Sequence, residues 1–140
     1  MSRQPVGWQL DRAADAGLRR IAPSQAESLC ATGRAAGLRC TRVDLSGCTD
    51  KDELLARFAA AFEFPAWFGR NWDALADCLD DLEWLDGAGH VLLIEHAADL
   101  RAAAPATLAT LLEILTETSQ AWQARGLPFW VLVTRSRKRR

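Results

Sequence analysis

Two short apolar runs limit what this chain can fold into. Residues 90–95 read His-Val-Leu-Leu-Ile-Glu, and residues 129–133 read Phe-Trp-Val-Leu-Val. A strand with one wet face alternates apolar and polar side chains, so unbroken runs of this length belong to strands buried on both faces. Strands of that kind need helices to cover them. The intervening segment supplies one: Pro105 opens a periodic stretch that turns Leu108, Leu111, Leu112, Ile114, Leu115, Thr118 and Trp122 inward, and Gly126-Leu127-Pro128 stops it.

The remaining elements repeat the alternation. Leu38 to Leu45 has period two and reads as a strand, and Leu18–Ile21 is a short N-terminal strand. Between them Pro23-Ser24 starts a helix that runs to about Ala36 and closes at Gly37. Trp8 and Leu10 either add an edge strand or pack loosely. Asp50, three positions before Glu53, caps a helix whose Leu54, Leu55, Phe58 and Phe62 share one face, with Pro65 beyond its end. Asn71 caps the next helix, Trp72 to about Leu82, and Gly87-Ala88-Gly89 marks a loop. Strands alternating with helices, without hairpin signals, predict an α/β fold with a small, mainly parallel sheet. Three core strands plus the N-terminal one are expected, in a single domain over 1–134 whose residues 1–40 form a βα extension. The tail 135–140 is too charged to pack and is expected to be disordered.

Charge is distributed unevenly behind a formal net charge of −1. Residues 1–70 carry ten Lys/Arg against eight Asp/Glu, residues 71–124 one against ten, and residues 125–140 six against none. Segregation of this kind governs partner choice and association rate more than fold. Cys30, Cys40, Cys48 and Cys78 include no CxxC pair, and with His90 and His96 the only histidines a structural zinc site is not expected. Met1-Ser-Arg-Gln-Pro5 does not open like a signal peptide, and no apolar run reaches membrane-spanning length. Reduced thiols in the cytoplasm are expected.

The helix after Asn71 carries the sharpest functional signal. Asp73 and Asp77 lie four apart on one face and Asp80 and Asp81 extend the stripe, while Leu75, Cys78, Leu79 and Leu82 face the other way. Like charges at this spacing cost roughly 0.2–0.5 kcal/mol per pair. A solvated helix face is the plain reading. The aromatic loop just before it, and the absence of lysine or arginine positioned to pair the acids, favour a surface that awaits an external cation. Asp73 and Asp77 offer two oxygen ligands for a divalent metal, as a metal-dependent hydrolase would need, but no third-ligand motif accompanies them. No GxSxG, HExxH or phosphate-loop sequence occurs, so neither an enzyme nor a cofactor is expected.

The run Trp67-Phe-Gly-Arg-Asn-Trp-Asp-Ala-Leu-Ala-Asp-Cys-Leu79, with the apolar strand ending in Glu95 and the closing Leu127–Val133, resembles the barstar family of intracellular inhibitors of barnase-type ribonucleases. The resemblance covers about 41–134. It implies a barstar-like fold and a partner-binding surface whose carboxylates stand in for the RNA phosphates held by a basic nuclease. Asp77 would be the central carboxylate, with Asp73 beside it and Trp67 packed over the rim of the catalytic cleft. Phe68, Gly69, Asn71, Ala76, Asp80, Asp81 and Trp84 complete the expected surface, and Glu117 on the long helix adds a further acid. Trp67 and Phe68 stand where the type protein has tyrosines, and Ala76 where it has a tryptophan. The implied protein is a monomer when free, and it engages no membrane, nucleic acid, metal or cofactor. The alternative is the same fold binding a different basic protein without inhibiting a nuclease.

Other residues read as structural. Glu95 is expected to bond helix or loop amides, and His96 to be a polar loop residue. Trp72, Trp122 and Trp130 occupy periodic apolar positions, Cys78 is a buried small apolar group, and the basic tail is a solubilising end rather than an RNA-binding one.

Overall fold

The two apolar runs are the central strands of the sheet. A computed structural model describes residues 8–85 and 87–135. In it β1 (Leu18–Ile21), β2 (Arg39–Asp44), β3 (His90–Glu95) and β4 (Phe129–Thr134) form one sheet in the order β1-β4-β3-β2, with every neighbouring pair parallel. Val91 registers with Trp130 and Leu92 with Val131. The pleat then divides the side chains between two cores. Val43, Leu92, Ile94, Phe129, Val131 and Val133 join the residues of the helices α2 (Lys51–Phe62), α3 (Trp72–Asp81) and α5 (Pro105–Ala124) on one face. Val91, Leu93, Trp130 and Leu132 pack on the other with Leu10, Ile21, and Ala26 and Leu29 of α1 (Ala26–Ala35).

The second core explains the N-terminal extension. Among the described residues, the cover on that sheet face comes from chain before β2. Each of the large side chains beneath it contributes roughly 1.5–3 kcal/mol by leaving water. Trp8 and Leu10 form no strand. Leu10 is buried and its carbonyl accepts a hydrogen bond from Trp130 Nε1 at 2.8 Å, while the Trp8 ring lies 5.3 Å from that of Trp130.

Three expectations require correction, and one helix was not foreseen. Cys30 and Cys40 are joined in a disulfide between α1 and β2, with Cα atoms 5.7 Å apart, so these thiols are not reduced; Cys48 and Cys78 are free and buried. The pairing depends on α1 packing back over the strand that follows it, which spacing alone does not reveal. A short helix, α4 (Ala98–Ala103), precedes α5; with Leu100 its one buried residue, it has no readable period. On α5, Leu112 and Ile114 are half-buried at the edges of the face, and Ser119 is buried instead, donating to the Phe129 carbonyl at 2.7 Å. Finally, among the described residues the Glu95 carboxylate bonds no helix or loop amide. It receives Nε and Nη2 of Arg42 at 3.1 and 2.8 Å, and the same guanidinium reaches Glu27 at 2.6 Å.

Among the described residues no helix is long and apolar enough to cross a membrane. The expected disorder of the basic tail concerns residues that, beyond Arg135, lie outside those described.

Candidate partner-binding surface

The local chemistry of residues 63–71 aims the aromatic loop. Glu63 takes a left-handed conformation (φ 55) that ends α2, and the Phe64 amide returns to the Ala59 carbonyl at 3.0 Å. Phe64 stacks on Phe62 with centroids 5.9 Å apart, continuing an aromatic row into the core. A turn follows in which the Phe68 amide donates to the Pro65 carbonyl at 3.0 Å. It separates two neighbours expected on the same surface. Phe68 folds inward, 4.8 Å from the Phe64 ring, whereas Trp67 points out and is 63% exposed, the only large apolar side chain so placed among the described residues. Trp84 is half-buried, edge-on to Phe64, and its Nε1 donates to the Phe62 carbonyl at 3.0 Å. Its polar edge is therefore engaged within the protein.

Asn71 then starts the acidic helix. Its Oδ1 accepts the Ala74 amide at 2.7 Å, satisfying one of the amides left free at a helix N-terminus. Gly69 lies close behind: a Cβ there would sit 3.4 Å from Asn71 Nδ2. Leu75, Cys78 and Leu79 are fully buried, Ala76 is half-buried, and Asp73, Asp77, Asp80 and Asp81 are exposed. Burial pushes the Cys78 thiol up, and the nearby Asp77 and Asp81 charges add to this, so the thiol is inert rather than nucleophilic. Glu117 is exposed on α5, the helix that packs on α3.

Two cations lie near the helix, and among the described residues neither forms an ion pair with its carboxylates. Arg125, just past α5, donates to the Asp80 backbone carbonyl at 3.1 Å. Partial burial raises the Asp80 carboxyl, Arg125 opposes that rise, and Asp77 adds to it. At the other end of the helix, Lys51 Nζ lies 5.2 Å from the centre of the half-buried Trp72 ring. Neither cation forms an ion pair with Asp73 or Asp77, which have no hydrogen-bonded partner among the described residues. Nor, among the described residues, do those two aspartates acquire a third ligand, since no three His, Cys, Asp or Glu side chains come together there to hold a metal. The cations were invisible in the sequence because Arg125 lies far along the chain from Asp80 and reaches it only through helix packing.

A second polar cluster sits at the C-terminal ends of the strands. His96 Nδ1 and Ser46 Oγ both contact Asp44 Oδ1, at 2.9 and 2.8 Å. The Ser46 amide, then His96 and the Ser46 hydroxyl, hold the Asp44 carboxyl at about 2. His96 is thus a polar loop residue, as expected, although it has a specific partner.

The all-parallel four-stranded sheet with its helical cover defines a small α/β protein. Residues 38–134 match the family model described as barstar, the barnase inhibitor, and the chain belongs to that family. It is a family of inhibitors rather than enzymes. No curated protein matches the chain.

Proposed function

We propose that this protein binds and blocks the active site of a basic, barnase-type ribonuclease, using α3 and the loop before it. The observation that carries this reading is the pair Asp73 and Asp77, exposed on one helix face, lacking internal partners, and flanked by the exposed indole of Trp67. A nuclease cleft that binds RNA phosphates is lined with cations. Two carboxylates one helical turn apart offer comparable anions, and the indole supplies apolar contact at the edge. Asp80, Asp81, Gly69, Asn71 and Ala76 form the surrounding surface, and Glu117 extends it onto α5. Phe68 and Trp84 support the loop from within. Such an inhibitor works in the cytoplasm of the cell that makes the nuclease; the Cys30–Cys40 bridge is uncommon in that compartment.

Titration calorimetry against barnase, with RNA cleavage followed in parallel, tests the proposal. Tight binding that abolishes cleavage and weakens with added salt is expected. Asp77→Ala should weaken binding by about ten- to hundredfold, the range for losing a hydrogen bond to a charged group. Absence of binding, or full affinity in both Asp73→Ala and Asp77→Ala, would overturn it. Capture of a basic protein that is not a nuclease would favour the alternative interaction module.

A further inference from the structure

Four non-glycine residues among those described have left-handed backbone: Glu63, Arg70, Leu82 and His96. Glu63 and Leu82 are the C-caps of α2 and α3, where this conformation closes the last turn. Arg70 closes no helix. It immediately precedes the Asn71 cap at φ 55, a conformation that costs a residue with a Cβ roughly 1–2 kcal/mol and glycine almost nothing. The site therefore carries a side chain where the backbone would prefer none.

That side chain is also electrically out of place. Arg70 is exposed and has no acidic partner among the described residues; the same is true of Arg12 and Arg20, but Arg70 alone of these stands in the segment that leads into the acidic helix. It lies midway in sequence between Trp67 and Asp73. Facing a purely cationic partner it would be a liability, since two like charges 4 Å apart repel by about 1 kcal/mol even in water. A guanidinium is instead suited to a planar carboxylate, which it can hold through two parallel hydrogen bonds.

We infer that Arg70 binds a carboxylate on the partner, at the rim of the cationic cleft that receives Asp73 and Asp77. This deepens the proposed function and rests on it. The partner surface then has a defined order: an apolar contact for Trp67, an anion for Arg70, and cations for the two aspartates. A basic protein lacking the rim carboxylate is a poorer fit, so Arg70 acts as a specificity determinant.

Association and dissociation rates with barnase, measured for wild type, Arg70→Ala, Arg70→Gly, Arg70→Lys and Asp77→Ala, test this. Both truncations should weaken binding by about tenfold, chiefly through faster dissociation, and Arg70→Lys should recover only part of the loss. If truncation leaves affinity unchanged, or raises it with faster association, Arg70 is a misplaced repulsive charge and the inference is overturned. The same holds if Arg70→Gly weakens binding and Arg70→Ala does not, because the loss then follows the freed loop backbone rather than the guanidinium. Failure of the wild type to bind barnase removes the parent reading and this inference together. Normal wild-type binding that is sensitive to Asp77→Ala and indifferent to Arg70 removes this one alone.

Discussion

Trp122 Nε1 donates to the backbone carbonyl of Leu79 at 3.0 Å. That carbonyl belongs to the last turn of α3, where no further helical amide donates to it. The Cys78 carbonyl takes the Leu82 amide at 3.1 Å, and the Asp80 carbonyl takes Arg125. The end of the acidic helix is thus closed by side chains at and just past the end of α5, and these fix how the carboxylate stripe stands on the protein.

Trp122→Phe should therefore cost more than the cavity it leaves would by itself. The indole packs against His90 and Phe129, at 5.0 and 5.4 Å between centroids, contacts a phenyl ring can largely keep, but a buried carbonyl loses its donor. A loss of about 1–3 kcal/mol in chemical denaturation is expected. No measurable loss would mean that the Leu79 carbonyl finds another donor.

Asn71→Ala removes the cap at the opposite end. The expected cost is about 1 kcal/mol, read as a lower denaturation midpoint, and Asn71→Asp should restore most of it. An unchanged midpoint in Asn71→Ala would show that the first turn of α3 is held by packing of Trp72 and Leu75 alone.

His90 makes stability depend on acidity. Burial, reinforced by the Arg39 charge, pulls its pKa down from 6.5 to about 4, and its Nδ1 has no hydrogen-bond partner. The unfolded chain therefore binds the proton more readily between those two values. Stability is full above about pH 6.5, falls as pH drops through the window, and by about pH 4 is lower by roughly 3 kcal/mol. Denaturation midpoints at stepped pH should show this slope, and His90→Phe should flatten it. A slope that persists in the variant would assign it to other groups.

The Cys30–Cys40 bridge closes a short loop, with a sequence separation of 10. Reduction, or Cys30→Ser combined with Cys40→Ser, should cost about 2–3 kcal/mol through the freer unfolded chain. Mass spectrometry of the alkylated protein should find two thiols blocked by the bridge. Equal stability of the oxidised and reduced forms would argue that the bridge does not form in solution.

Much of this architecture was legible because it is periodic. Period two in residues 38–45, unbroken apolar runs in β3 and β4, and helical spacing in α2, α3 and α5 are local properties of neighbouring side chains. The acidic stripe of α3 was legible for the same reason, since helix geometry places Asp73 and Asp77 on one face wherever the helix sits. The loop between α2 and α3 has no period. Its sequence could not say that Trp67 turns out and Phe68 in, because a single turn bond from Phe68 to Pro65 and the waiting Phe64 ring decide it.

The chain by itself determined that α3 would be amphipathic, acidic and capped by Asn71, because each of those properties involves residues within four positions of one another. Only the tertiary structure decided what surrounds it: Arg125 at its C-terminal carbonyls, Lys51 over Trp72, Arg42 between Glu27 and Glu95, and α1 bridged to β2. Those partners are distant in sequence, and their contacts arise only once burial of the two sheet faces has brought the elements together.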